Sequence, residues 1–321
     1  MNTMFSTPAR AASLFAAVAG IFCAAHASAA APLAKFQAPG FYRMSLGDFE
    51  VTALSDGTVV LPVNKLLKAE QPKVDKMLAK SFVSSPLETS VNAYLINTGS
   101  KLVLIDAGAA ALFGPTLGKL SASLKAAGYQ PEQVDEVYIS HLHPDHVGGL
   151  LAGEQAAFPN AIVRADKHDA DFWLSQAEMD KAPAESKGFF QGAMGALAPY
   201  LKADKFQPFT GNTELVPGVK SYASAGHTPG HTTYVVESKG QKLVLLGDLM
   251  HVQAVQFDEP GIGINFDTAG KHAVAERKQA FAAAAKQGYL IGASHLPFPG
   301  VGHLRAEGKG YRFVALNYSQ N

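Results

Sequence analysis

The chain has 321 residues, 47% hydrophobic and 17% charged, enough to bury one large α/β core or two smaller ones. Lys plus Arg and Asp plus Glu number 27 each, so the formal charge is zero, which argues against a nucleic-acid substrate and gives no strong reason to expect a highly charged small one. The one cysteine, Cys23, falls in an N-terminal leader, which leaves the processed chain without a thiol for a disulfide or a Cys-based metal site.

Residues 1–30 read as a secretory signal peptide. Arg10 precedes the Ala-rich run Ala11 to Ala25, and Ala27-Ser28-Ala29 offers a small-x-small cleavage site, with cleavage after about Ala29 or Ala31. The run is short and Ala-rich for a stable membrane anchor, and Ile21-Phe22 stands where small residues precede a lipidated cysteine. The expectation is a secreted or periplasmic protein of residues 31–321, folded as a single domain.

Beyond the leader, Phe49 to Leu54 alternates, and Asp56-Gly57 reads as the turn of a hairpin into Thr58 to Val63. Lys73 to Lys80 is a helix candidate. Val91 to Asn97 and Lys101 to Asp106 form a strand pair across Thr98-Gly99-Ser100. Leu117 to Ala127 is an amphipathic helix closed by Gly128. Val134 to Ser140 and Ala161 to Ala165 are strands, and Asp166 to Gln176 a helix. Residues 177–210, broken by Pro183, Pro199 and Pro208, read as short helices in an insertion over the site. Strand patterns return at Val219 to Ser224, Thr232 to Glu237 and Lys242 to Leu246. Helix Val274 to Lys286 ends before Gly288, and Tyr289 to Ala293 reads as the last buried strand.

The strand Val134 to Ser140 delivers His141-Leu-His143-Pro-Asp145-His146, four potential metal ligands in six residues. Neutral imidazole and carboxylate suit zinc, and also manganese, cobalt or iron. Two such ions roughly 3.5–4 Å apart can hold a hydroxide between them for attack on an ester or phosphoester. Further candidates end later apolar runs: His227 after Val219 to Ser224, Asp248 after Leu243 to Gly247, and His295 after Tyr289 to Ser294. Strand ends on one rim of a sheet are where α/β folds place their chemistry.

This block, with His227, Asp248 and His295 in that order, resembles the metallo-β-lactamase superfamily along the whole processed chain. The resemblance implies an αββα sandwich with two divalent ions, Zn2+ first among them. By the same resemblance His141, His143 and His227 hold one ion, Asp145, His146 and His295 the other, and Asp248 bridges them. Asp106 corresponds to a strand-end Asp that orients a ligand. His231, with one ligand set complete without it, is expected to support a ligand.

Phe41-Tyr42-Arg43-Met44, Leu112-Phe113-Gly114-Pro115-Thr116 and Gly292 to Gly300 narrow the resemblance to the methyl parathion hydrolase branch, whose members are exported dimeric dizinc phosphotriesterases. The pocket departs from that branch. His251 stands where it has Leu, Leu66 where it has Arg, and Ile264 and Phe266 where it has Thr and Leu. The Ala184 to Ser186 loop is one residue shorter. These differences point to lactonase relatives that open aryl lactones such as dihydrocoumarin. Phe113, Trp173 and Phe189 match the branch's aromatic pocket entrance.

The expected activity is hydrolysis of aryl lactones and esters, with phosphotriester hydrolysis on the same ions; a dedicated methyl parathion hydrolase is the alternative. Asp145, Asp248 and His251 are the expected catalytic groups, with His251 facing the substrate. The expected partner is a small molecule, with no nucleic acid and no stable membrane anchor. A homodimer is implied by the resemblance alone.

Overall fold

The protein is described by a computed structural model that covers Met1 and residues 31–319. The expected signal peptide therefore lies outside the described residues, apart from Met1. From Ala38 onward the chain forms one compact unit. Among the described residues no helix is long and apolar enough to cross a membrane.

The strands run, in chain order, β1 (Phe41–Leu46), β2 (Phe49–Leu61), β3 (Leu87–Asn97), β4 (Leu102–Ile105), β5 (Glu136–Tyr138), β6 (Leu151–Ala152), β7 (Gln155–Ala156) and β8 (Ile162–Arg164). They continue as β9 (Glu214–Val216), β10 (Val219–Ala223), β11 (Thr232–Ser238), β12 (Gln241–Leu245), β13 (Leu290–Gly292), β14 (Val301–Glu307) and β15 (Gly310–Ala315). One sheet has the order β1-β2-β3-β4-β5-β8, the other β15-β14-β13-β12-β11-β10-β9, and β6-β7 is a separate small ribbon.

Side-chain alternation along the central strands builds the layers. Leu102 and Leu104 of β4 pack outward with helices Leu120–Ala126 and Lys187–Lys202, whereas Val103 and Ile105 face the other sheet. On β12, Leu243 and Leu245 face inward against that sheet, while Val244 packs with Phe281 and Ala284 of helix Gly270–Gln287. Strands buried on both faces read as continuous apolar runs. The result is the expected αββα sandwich, with cores outside each sheet and one between them.

Several boundaries differ from the sequence reading. Asp56-Gly57 is not a turn: β2 runs through it as one strand with a bulge between Ser55 and Gly57. Gly57 has φ 121, and a Cβ there would collide with the Thr116 carbonyl. The buried Asp56 carboxylate accepts from the backbone N–H of Ala109, Gly118 and Leu120 at 2.9, 3.1 and 2.9 Å. Both residues are typical of turns because they tolerate unusual backbone, which a bulge also needs. The first hairpin is instead β1–β2.

Residues 177–210 hold the expected short pieces, Gln176–Lys181 and Ala184–Ser186, but then one long helix, Lys187–Lys202, with Pro199 inside it rather than ending it. Two strands, β14 and β15, follow the one expected to be the last buried strand, and Val301 and Leu304 of β14 are themselves buried.

Candidate metal centre

β4 and β5 run parallel, as do β12 and β13, so their C-terminal ends open on common rims. β10 is antiparallel to β11 and β11 to β12, so β10 shares the direction of β12. From these ends come Asp106 (after β4), His141 to His146 (after β5), His227 (after β10), Asp248 (after β12) and His295 (after β13). Asp145 and His146 ride on the single turn Pro144–Val147. Gly148 and Gly149 follow, where a Cβ would run into the carbonyl oxygens of Ala109 and Ala107. Only glycine lets this turn lie so close to the segment beyond β4.

The seven expected ligands converge in two groups, His141 with His143 and His227, and Asp145 with His146, Asp248 and His295. His143 Nδ1 stands 3.0 Å from His141 Nε2 and 3.1 Å from His227 Nε2. Three nitrogens around a tetrahedral zinc would be about 3.3 Å apart. In the second group His295 Nε2 lies 3.0 Å from Asp248 Oδ2 and 3.4 Å from Asp145 Oδ2, and His146 Nε2 lies 3.3 Å from Asp248 Oδ1. Asp248 reaches both groups, since its Oδ2 is also 3.4 Å from His227 Nε2.

Three of the rings are turned by a bond on the far nitrogen. His227 Nδ1 donates to Asp267 at 3.0 Å, His146 Nδ1 to Asp106 at 2.9 Å, and His295 Nδ1 to the Ser90 carbonyl at 2.9 Å. These donations leave Nε2 as a lone pair aimed inward. Asp106, at φ 61, also accepts from Ser140 N and Ser140 Oγ. His231 is no member of either group: its Nε2 accepts from the Asp248 N–H at 3.0 Å, and burial pushes its pKa down to about 4. As a neutral ring it holds the backbone of Asp248. The buried Asp169 carboxylate ties the two ligand loops by accepting from Leu142 N and Gly230 N at 2.8 and 2.6 Å.

Charge and unmet bonding both fit cations. Burial, then neighbouring imidazoles, hold His141 and His143 well below the usual histidine pKa; burial does the same to His227, against the pull of Asp248. For His146 and His295 burial also acts downward, but the carboxylates, Asp248 foremost, outweigh it and raise both, His295 to about 9. The carboxylate side of the site thus demands positive charge, which divalent ions would supply. His146 Nε2, Asp248 Oδ1 and both ring nitrogens of His251 are buried without a hydrogen-bond partner. An orphaned buried polar atom is costly unless something absent from the protein partners it.

His251 was expected as a pocket residue, and the structure also brings it into reach of His227 and Asp248. Its Nε2 is 3.1 Å from Asp248 Oδ2, and its ring stacks on His295 at 5.1 Å. The adjoining cavity is lined by His251 with Phe113, Phe189, Phe266, Val59 and Leu61. Trp173 does not line it. That ring is 4% exposed, packed on Phe190 and edge-on to His143 at 5.0 Å, behind the ligand rather than at the entrance. Leu66 and Ile264 are likewise set back, in the apolar cluster that also backs Phe266.

Four contributors escaped the sequence reading. Val59 and Leu61 were hidden by the false turn at Asp56-Gly57; a continuous strand would have placed alternate residues on one face. Asp267 and Asp169 carry no ligand spacing, and only the fold brings them to the site.

Comparison with known proteins agrees with this geometry. A model of the metallo-beta-lactamase superfamily matches residues 87–295. An N-acyl homoserine lactonase from Bacillus cereus is 29% identical over 195 residues, 53% of this chain and 70% of that one. A Bacillus thuringiensis lactonase of the same name matches over 38% of this chain and 41% of its own length. Among solved structures, the hydrolase AbOPH of the beta lactamase superfamily superposes with TM-score 0.84 and 41% identity, over 89% of this chain and all of that one. AidC, a dizinc quorum-quenching lactonase, superposes with TM-score 0.81 and 26% identity, over 88% and 99%. The rim of histidines and aspartates, the four-layer sandwich and these matches together show that the chain belongs to the metallo-β-lactamase superfamily of metal-dependent hydrolases.

Proposed function

We propose that the chain opens lactones, aryl lactones of the dihydrocoumarin type among them, and hydrolyses organophosphate triesters such as methyl parathion more slowly at the same centre. The observation that carries this reading is the buried two-group constellation of His and Asp beside an apolar, aromatic cavity. The lactonases among its relatives support it. His141, His143 and His227 would hold one ion and Asp145, His146 and His295 the other, with Asp248 between. Bound there, the ions would polarise the carbonyl and make water nucleophilic at neutral pH.

The protein's own residues do the rest. Phe113, Phe189 and Phe266 line the cavity, hold a flat neutral ring and exclude bulk water. Asp145 faces the same space and is placed to receive the proton that water loses. His251, buried against Asp248, is placed to hydrogen-bond the ring oxygen as the ester bond breaks. A phenolate leaving group needs only that weak assistance. The proposed setting is outside the cytoplasm, on the strength of the leader sequence, and the proposed assembly is a homodimer.

A panel of dihydrocoumarin, N-acyl homoserine lactones and methyl parathion, run on protein of measured metal content, tests the reading. Lactone turnover that disappears on chelation and returns with zinc is expected. No lactone turnover at any metal loading would overturn it. Methyl parathion as the far better substrate would instead support a dedicated phosphotriesterase.

A further inference from the structure

His251 is held unlike its neighbours. His146, His227 and His295 are each fixed by a bond on one ring nitrogen, whereas neither nitrogen of the buried His251 ring has a hydrogen-bond partner. Where that ring points is left to its backbone and to packing on His295, His227 and Phe266. One side chain grips the backbone: Gln256 Oε1 accepts from His251 N at 2.7 Å and from Val252 N at 3.0 Å. Gln256 Nε2 donates to the Ile262 carbonyl at 3.0 Å. Turning the amide over would set NH2 against two N–H groups and an oxygen against a carbonyl, so a single orientation satisfies all three bonds.

Arg277, on helix Gly270–Gln287, completes the grip. Its Nη1 donates to the same Ile262 carbonyl at 2.8 Å and to Pro260 O at 3.1 Å, and its Nε donates to Leu249 O. Both side chains are fully buried, and neither lines the cavity. A buried charge is costly; here burial lowers the pKa to about 10, against the pull of Asp267. What the guanidinium supplies is donors for three carbonyls that lie outside the helices and strands. Two segments are thereby fastened together: 249–252, which follows Asp248 and carries His251, and 260–262, which leads to Phe266 on the same cavity.

Resting on the lactonase reading, we propose that Gln256 and Arg277 are positioning residues for lactone selectivity: they touch no substrate and act by holding His251 where its ring meets the lactone. The metal frame is tied down separately. Asp248 N is held by His231, and beyond the grip Thr268 N and Ala269 N bond to the carbonyls of His227 and Gly226 at 2.9 and 2.8 Å. Loosening residues 249–252 therefore frees the His251 ring while the ligands stay in place. A displacement of about 1 Å at a group that acts on the substrate can cost about a hundredfold in rate, so a small release is enough.

The test is the ratio of kcat/KM for dihydrocoumarin to that for methyl parathion, on enzyme of measured metal content. Gln256→Leu leaves two N–H groups without their acceptor and should lower the ratio about fivefold with metal content unchanged. Gln256→Glu keeps the acceptor, beside the Arg277 charge that shares the Ile262 carbonyl, and should hold the ratio within about twofold of the unmodified protein. In the His251→Leu background Gln256→Leu should move the ratio no further, because the group it positions is gone. Arg277→Lys keeps the charge but not the fork, should shift the ratio in the same direction, and decides the matter if Gln256→Leu does not fold. A lower melting temperature with the ratio intact would show a structural role alone and overturn the proposal. So would an equal loss with and without His251, or a ratio that His251→Leu leaves unmoved. No turnover of dihydrocoumarin by the unmodified protein would instead remove the lactonase reading beneath it.

Discussion

The metal frame and the cavity wall occupy the same rim but are held in different ways. In the frame, His146, His227 and His295 are each pinned through the ring nitrogen that does not face the cluster, by Asp106, Asp267 and the Ser90 carbonyl. In the wall, Val59 and Leu61 of β2 are joined by Phe113, Phe189 and Phe266 from other segments, and all touch the cavity through apolar groups alone. Directional bonds fix atoms narrowly, whereas apolar packing tolerates exchange of shape at similar volume. Substrate preference can therefore change in the wall while the chemistry of the frame stays in place.

If that separation is real, damage to the frame should abolish turnover of every substrate alike. Asp248→Ala removes the carboxylate common to both ligand groups and leaves His146, His227 and His295 facing one another. Activity on lactones and phosphotriesters should fall together by about a thousandfold or more, and elemental analysis should show metal lost. A variant with normal metal content and normal turnover would break the comparison at its base. Next in size is Asp267→Asn, which can still place a group near His227 Nδ1 but weakens the charged acceptor. A drop of about 10–100-fold in metal affinity is expected, read by competition with a chelator, again without change in substrate preference.

The same contrast explains what could be read from the sequence. His141, His143, Asp145 and His146 lie within six residues after an apolar strand, so their chemistry is local and legible. His227, Asp248 and His295 are dispersed, but each closes a strand, and the parallel pairing of β12 with β13 makes such ends meet. Asp267 lies 40 positions from the ring it orients, in a loop without ligand spacing. Trp173 shows the reverse error. An aromatic beside a motif reads as a pocket wall, yet this one is buried against Phe172 and Phe190 and supports His143 from behind. Whether an aromatic ring faces a cavity or a core depends on tertiary packing, which residue type does not report.

Of the wall residues, His251 offers the largest expected change in preference. Replacing it with Leu removes the polar group beside Asp248 but keeps an apolar side chain between Phe266 and His295. Lactone kcat/KM should fall about tenfold relative to that for methyl parathion, the loss of roughly one hydrogen bond in the transition state. Metal content should not change. Equal rates on both substrates, before and after, would show that His251 is a bystander.

The smallest catalytic effect is expected at a residue whose stability effect is large. Asp56 lies far in sequence from any ligand, yet its buried carboxylate gathers the N–H groups of Ala109, Gly118 and Leu120, which bracket the loop that carries Phe113. Asp56→Asn keeps the size but leaves one oxygen for three donors and turns an NH2 towards at least one of them. Losing one or two of these buried bonds should cost about 2–4 kcal/mol, visible as a lower melting temperature of the metal-loaded protein. Below that transition the ligands are untouched, so kcat should change by no more than about twofold. KM for an aryl lactone should rise instead, because Phe113 loses its brace and the ring it contacts gains freedom. If kcat collapsed while KM held steady, the bulge at Asp56-Gly57 would be tied to the frame, and the division between frame and wall would fail at that point.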